Sequence, residues 1–136
     1  EKLVGEYVAM RNTIVRSDEM MLRRWSKTGL IGQQSSDEEF SRFAQEIQRV
    51  LPELRKSDVT REVIISSVSA VTKNRLYMVN FTTIARDAQE QVINRQNWVA
   101  TLEIAYEAIE NIPANLRTVN PTGFKVISYT VAEKGA

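Results

Sequence analysis

Cysteine and histidine are both absent from the 136 residues. Their absence removes thiolate nucleophiles, disulfides, imidazole acid-base catalysis and the usual zinc ligands together. A chain without cysteine is compatible with an oxidising compartment but is not located by that fact. Long hydrophobic runs are missing too: no stretch approaches the ~20 apolar residues that span a bilayer, and no charged-then-apolar leader opens the chain. The first residue is Glu1 rather than Met, which leaves room for an anchor upstream. An excess of one charge is also lacking. Lys and Arg number 18 against 17 Asp and Glu, 10 against 9 up to residue 56 and 8 against 8 thereafter. Nucleic-acid binding calls for clustered cations to neutralise phosphates, and Arg23-Arg24 is a pair rather than a stripe, so direct binding is not expected.

What is present fits one compact domain, residues 1–136, with 43% hydrophobic residues. Leu3, Tyr7, Met10, Ile14, Met21 and Trp25 recur at spacings of three, four and seven. That spacing predicts one helix running into the late twenties and stopped by Gly29 and Gly32. Ser36-Asp37-Glu38-Glu39 is a capping-box pattern, in which the Ser36 hydroxyl accepts from the third helical N–H and Glu39 reaches back. The helix it opens carries the stripe Phe40, Phe43, Ala44, Ile47 and Leu51, with Pro52 as a boundary or the first turn of a short extension.

From about Thr60 the period becomes two and β-branched residues become dense, predicting a strand with Val63, Ile65 and Val71 opposite Ile64 and Val68. Lys73-Asn74-Arg75 is a polar turn, and Tyr77, Val79 and Phe81 share one side of a second strand that fades near Arg86. Trp98, Ala100, Leu102, Ile104 and Tyr106 give a third strand one strongly apolar face. Asn120-Pro121-Thr122-Gly123 has the residues of a type I turn. A fourth strand, Phe124 to Val131, follows, with Phe124, Val126 and Ser128 expected on one face and Lys125, Ile127, Tyr129 and Val131 on the other. Helices followed by four consecutive strands predict an α+β fold with an antiparallel sheet curled against the helices.

Four segments together resemble the periplasmic domain of the VirB-eight family, the inner-membrane scaffold subunit of bacterial type IV secretion systems. They are Tyr7-Val8-Ala9-Met10-Arg11, Val79-Asn80-Phe81-Thr82, Gln96-Asn97-Trp98-Val99-Ala100-Thr101, and Asn120-Pro121-Thr122-Gly123-Phe124 continuing through Ser128-Tyr129. They span essentially the whole chain in family order, and the last is the most specific. After Arg11 the chain has Asn12, Thr13 and Ile14 where the family commonly has Glu and then an aromatic. The resemblance implies a nuclear-transport-factor-two-like cone, with N-terminal helices packed on a curved four-stranded antiparallel sheet. It also implies a single-pass inner-membrane protein whose cytoplasmic tail and transmembrane helix precede this periplasmic domain. Such a domain scaffolds assembly for the translocation or conjugation of DNA or protein. Its expected partners are other subunits of the inner-membrane and core complex and, weakly, a second copy of itself. No cofactor or metal is implied.

Candidate contact residues follow. Asn120, Pro121, Thr122 and Gly123 form a turn that sets the register of the last strand, and the resemblance ties this motif to self-association and assembly. Tyr7, Met10, Arg11 and Ile14 form an apolar stripe that reads first as core and second as a dimer contact, since Tyr7 and Arg11 lie four apart and combine an aromatic with a guanidinium. Trp25 and Trp98 read as core fillers, and Arg86 and Asp87 as solvated turn charges. The rival function is an enzymatic or small-molecule-binding cone of the same fold class. Without histidine its acid and base would be Glu103 and Tyr106, but three residues apart on a strand they face opposite sides.

Overall fold

A computed structural model describes residues 2–116 and 120–134. Four helices come first, α1 Lys2–Asn12, α2 Asp18–Trp25, α3 Leu30–Gln33 and α4 Asp37–Lys56. Strands β1 Thr60–Thr72, β2 Leu76–Arg86 and β3 Val92–Tyr106 follow, then the short 3-10 turns Ile109–Asn111 and Ala114–Leu116, and last β4 Phe124–Glu133. The strands form one antiparallel sheet in the order β1-β2-β3-β4. The helices pack on one face of it, α1 over β1 and β2 and α4 beside β4, so the α+β expectation holds. No helix among the described residues is long and apolar enough to cross a membrane.

The single first helix does not form. It stops at Asn12, where the Asn12 amide donates to Val8 O at 2.8 Å and the Thr13 hydroxyl to Ala9 O at 2.6 Å, side-chain donors added to the carbonyls of the last turn. The β-branched run Thr13-Ile14-Val15 then goes extended, and Ile14 exchanges two 2.9 Å backbone hydrogen bonds with Arg61 at the start of β1. Ile14, Met21 and Trp25 keep their apolar phase across the break because both sides of it face the same core.

In α4 the Ser36 hydroxyl accepts from Glu39 N at 3.2 Å as expected. The other half of the capping box is not made. Ser36 N donates to Val126 O, and the Glu39 carboxylate turns inward instead. Pro52 lies inside the helix, which runs on to Lys56.

Tyr77, Val79, Phe81, Ala100, Leu102, Ile104, Phe124 and Val126 form the buried face of the sheet. Trp98 is half-buried against them and donates from Nε1 to Thr83 Oγ1 at 2.8 Å. Between Glu103 and Ile104 the register with β4 shifts by one residue, because Ile127 is skipped. That bulge reverses the alternation. Tyr129, expected beside Ile127 on the opposite face, instead joins Phe124 and Val126 in the core, while Ser128 leaves it half-buried.

Candidate functional site

The Asn120–Gly123 turn is built from the inside. Asn120 is 1% exposed, and its Nδ2 donates to Gln33 O and to Phe124 O, both at 2.9 Å. Its backbone N–H reaches Leu116 O, and Gly123 N closes the turn on Asn120 O at 3.4 Å. Gly123 is buried at φ +72°, and its carbonyl accepts from Glu107 N at 2.7 Å. A Cβ there would strike the Glu107 carbonyl oxygen, so glycine is required on both conformational and steric grounds. Two residues of the four are left to face solvent, Pro121 and Thr122. On the neighbouring strands Tyr106 is 53% exposed and Ile127 is exposed as well. Both line a shallow depression of about 300 Å³ with Ser36, Asp37, Glu107 and Lys125.

The stripe on α1 is placed in the interior. Tyr7, Arg11 and Ile14 are buried and Met10 is half-buried. Tyr7 shares a 2.7 Å hydrogen bond with Ser35, and Arg11 donates from Nη1 to Tyr7 Oη at 2.9 Å and from Nη2 to Glu39 Oε2 at 3.0 Å. The guanidinium carbon sits 3.9 Å from the Tyr129 ring centre and 5.0 Å from that of Phe43. Asn12 donates from its amide to Tyr129 Oη at 2.9 Å, and Trp25 Nε1 donates to Met10 O. Burial pushes the Tyr7 and Tyr129 phenols above their ordinary value, although Arg11 opposes it at both. For Arg11 burial works against the charge, yet Tyr7, Tyr129 and Glu39 together hold it above the usual guanidinium range.

The two groups of candidate residues meet at one segment, residues 33–36. Asn120 holds it through Gln33 O, β4 through the backbone of Gln34 and Ser36, Tyr7 through the Ser35 hydroxyl, and Arg11 through Glu39 one turn further on. Gln33, Ser35, Glu39 and Tyr129 were not candidates from sequence. Glu39 carried a signal all the same, since it directly precedes Phe40 on the stripe of α4 that faces inward.

Residues 1–134 match the family described as VirB8 protein. The chain belongs to the VirB8 family. Proteins of this family are components of type IV secretion systems. Among solved structures the chain is similar to a TrwG component of a type IV secretion system from Bartonella birtlesii, at 19% identity and TM-score 0.82 over 99% of this chain and 90% of that one. It is similar to the soluble domain of TrwG from Bartonella grahamii at 16% identity and TM-score 0.83, covering 99% and 92%. It is also similar to VirB8 of Agrobacterium tumefaciens at 19% identity and TM-score 0.82, covering 99% and 90%. At these identities the likeness is one of fold, and it agrees with the helices-on-sheet cone of the VirB8 family. No curated protein sequence matches the chain.

In this VirB8-family chain the rival acid-base pair does not converge. Glu103 is half-exposed beside Arg75, and Tyr106, beyond the bulge, stacks edge-on against Phe124. Among the described residues no group of three or more acidic side chains is placed to hold a metal ion.

Proposed function

We propose that this VirB8-family chain is a periplasmic scaffold of the inner-membrane complex, acting through protein contacts and not through catalysis. The contact surface is the outward part of the Asn120–Gly123 turn, Pro121 and Thr122, together with exposed Tyr106 and Ile127. Its occupants are other type IV secretion subunits and, weakly, a second copy of the chain. In the whole protein a cytoplasmic tail and a single transmembrane helix precede the domain and hold it to the inner membrane. The balanced charge favours no direct contact with nucleic acid.

The observation that carries this reading is the burial of Asn120. Its amide locks the turn to residues 33–36 from beneath, so that Pro121 and Thr122 are presented rigidly outward. A preorganised surface loses little freedom on association, which is what a weak but specific contact needs. Tyr7, Arg11 and Ile14, turned inward, enter as the support of that surface rather than as its contacting groups.

The test is sedimentation equilibrium across concentration on the wild type and on Thr122→Arg. That substitution alters the outward surface and leaves Gly123 and Asn120 in place. A reversible dimer weakened by Thr122→Arg, with unchanged circular dichroism, supports the reading. A dimer indifferent to it moves the surface elsewhere, and a monomer at every concentration shifts the search to pull-down with other secretion subunits.

A further inference from the structure

Helices α2 and α4 touch at two ends and part between them. At one end the rings of Trp25 and Phe43 meet edge to face, with centres 5.3 Å apart. At the other, Arg55 donates from Nη1 to Val15 O at 2.8 Å and sets Nη2 3.0 Å from Asp18 Oδ1. The gap is a cleft of about 490 Å³ walled by Met21, Trp25, Ile47, Leu51 and Pro52. Its size falls within the range of small-molecule sites, and so does its makeup, apolar walls with a few polar side chains, Asp18, Ser26 and Arg55. It lies toward the C-terminal end of α4, away from the segment that the Asn120 turn engages.

Arg55 is the cation among them, and its donors are incompletely used. Nε and Nη2 are buried, and neither has a hydrogen-bond acceptor among the described residues. The Asp18 carboxylate is close enough to neutralise Nη2 but is not aligned to accept from it. Nε and Nη2 point the same way and make the side-on fork that one carboxylate spans with two parallel hydrogen bonds. The Asp18 side chain is 82% exposed, so it can leave for water at little cost and uncover that fork.

From Ile47 to Arg55 the helix rises about 12 Å, roughly the span of an extended chain of ten carbons. We propose that the α2–α4 cleft binds a free medium-chain fatty acid. The alkyl chain lies along Leu51, Pro52 and Ile47 toward Trp25, and the carboxylate takes the place of Asp18 on Nε and Nη2 of Arg55. The charge at one end and the apolar length behind it select an unbranched monocarboxylate over an alcohol or an alkylammonium of the same length.

The experiment is calorimetric titration of the purified domain with decanoate, and with decanol as the uncharged control. Decanoate binds saturably at one site and more tightly than decanol. Arg55→Gln weakens decanoate about tenfold and leaves decanol unchanged. Asp18→Ala, which removes the competing carboxylate from an exposed position, tightens decanoate. Leu51→Trp fills the cleft and abolishes both. Absence of saturable decanoate binding, or decanoate binding that Asp18→Ala does not strengthen, overturns the proposal. The Asp18 variant keeps it decidable should Arg55→Gln or Leu51→Trp fail to fold. Co-sedimentation with phosphatidylcholine vesicles in the absence of decanoate binding would assign the cleft to membrane lipid and overturn the free acid.

Discussion

Arg11 and Glu39 meet inside the protein, Nη2 to Oε2 at 3.0 Å, with side chains 7% and 1% exposed. They join the last turn of α1 to the first turn of α4 across 28 residues of sequence. The remaining Glu39 oxygen lies 2.8 Å from Arg42 Nη2 at the surface, a contact of opposite charges without hydrogen-bond alignment.

Removing one member of this pair leaves the other charged and buried. Arg11→Met and Glu39→Leu are each expected to lower the free energy of unfolding by about 3–5 kcal/mol, and the double variant by much less than the sum, since no unpaired charge remains. Urea denaturation of the four proteins measures this. Additive losses would show that the two side chains act independently.

The buried phenols give stability an alkaline limb. Tyr7 and Tyr129 have folded pKa values raised above the unfolded value of about 10. Their contribution is fully present below pH ~10 and is lost as the pH rises through the folded values, because the unfolded chain then releases the protons more readily. Stability measured by urea from pH 8 to pH 12 should be level and then fall. Tyr129→Phe should reduce the slope of the fall.

Asn120→Ala deletes two hydrogen bonds and exposes Gln33 O and Phe124 O to a cavity. The expected loss is about 2–3 kcal/mol. Asn120→Asp keeps the shape but sets a carboxylate against two carbonyl oxygens, and should be at least as destabilising at neutral pH. A smaller effect from Asp than from Ala in thermal unfolding would mean that the amide donors are not what holds the turn.

Ser36→Ala removes the acceptor for Glu39 N and with it the cap of α4, at a cost of about 1 kcal/mol. Its expected signature is a lower denaturation midpoint with an unchanged slope. In contrast Ser35→Ala, two residues from Gln33, whose carbonyl accepts from Asn120, acts through Tyr7 and should shift the alkaline limb as well.

Much of this structure was legible from local chemistry. The Ser36 cap, the polar turn at Lys73 to Arg75 and the turn residues Asn120 to Gly123 act over a few residues, and alternation marked all four strands before any packing was known. The family resemblance rested on segments of the same kind, and the family match bears it out. Tertiary structure decided what depends on distant partners. The break after Asn12 exists because Ile14 pairs with Arg61, 47 residues later, and a periodic stripe cannot tell a continuous helix from two pieces facing one core. Tyr129 turns inward because β4 skips Ile127 against β3, a register choice made between strands and not within either. Arg11, read with Tyr7, Met10 and Ile14 first as core and second as a dimer contact, is a buried centre because Glu39, Tyr7 and Tyr129 converge on it. Desolvating a guanidinium is tolerated where a carboxylate and aromatic faces replace the water, and only the folded chain brings those groups together.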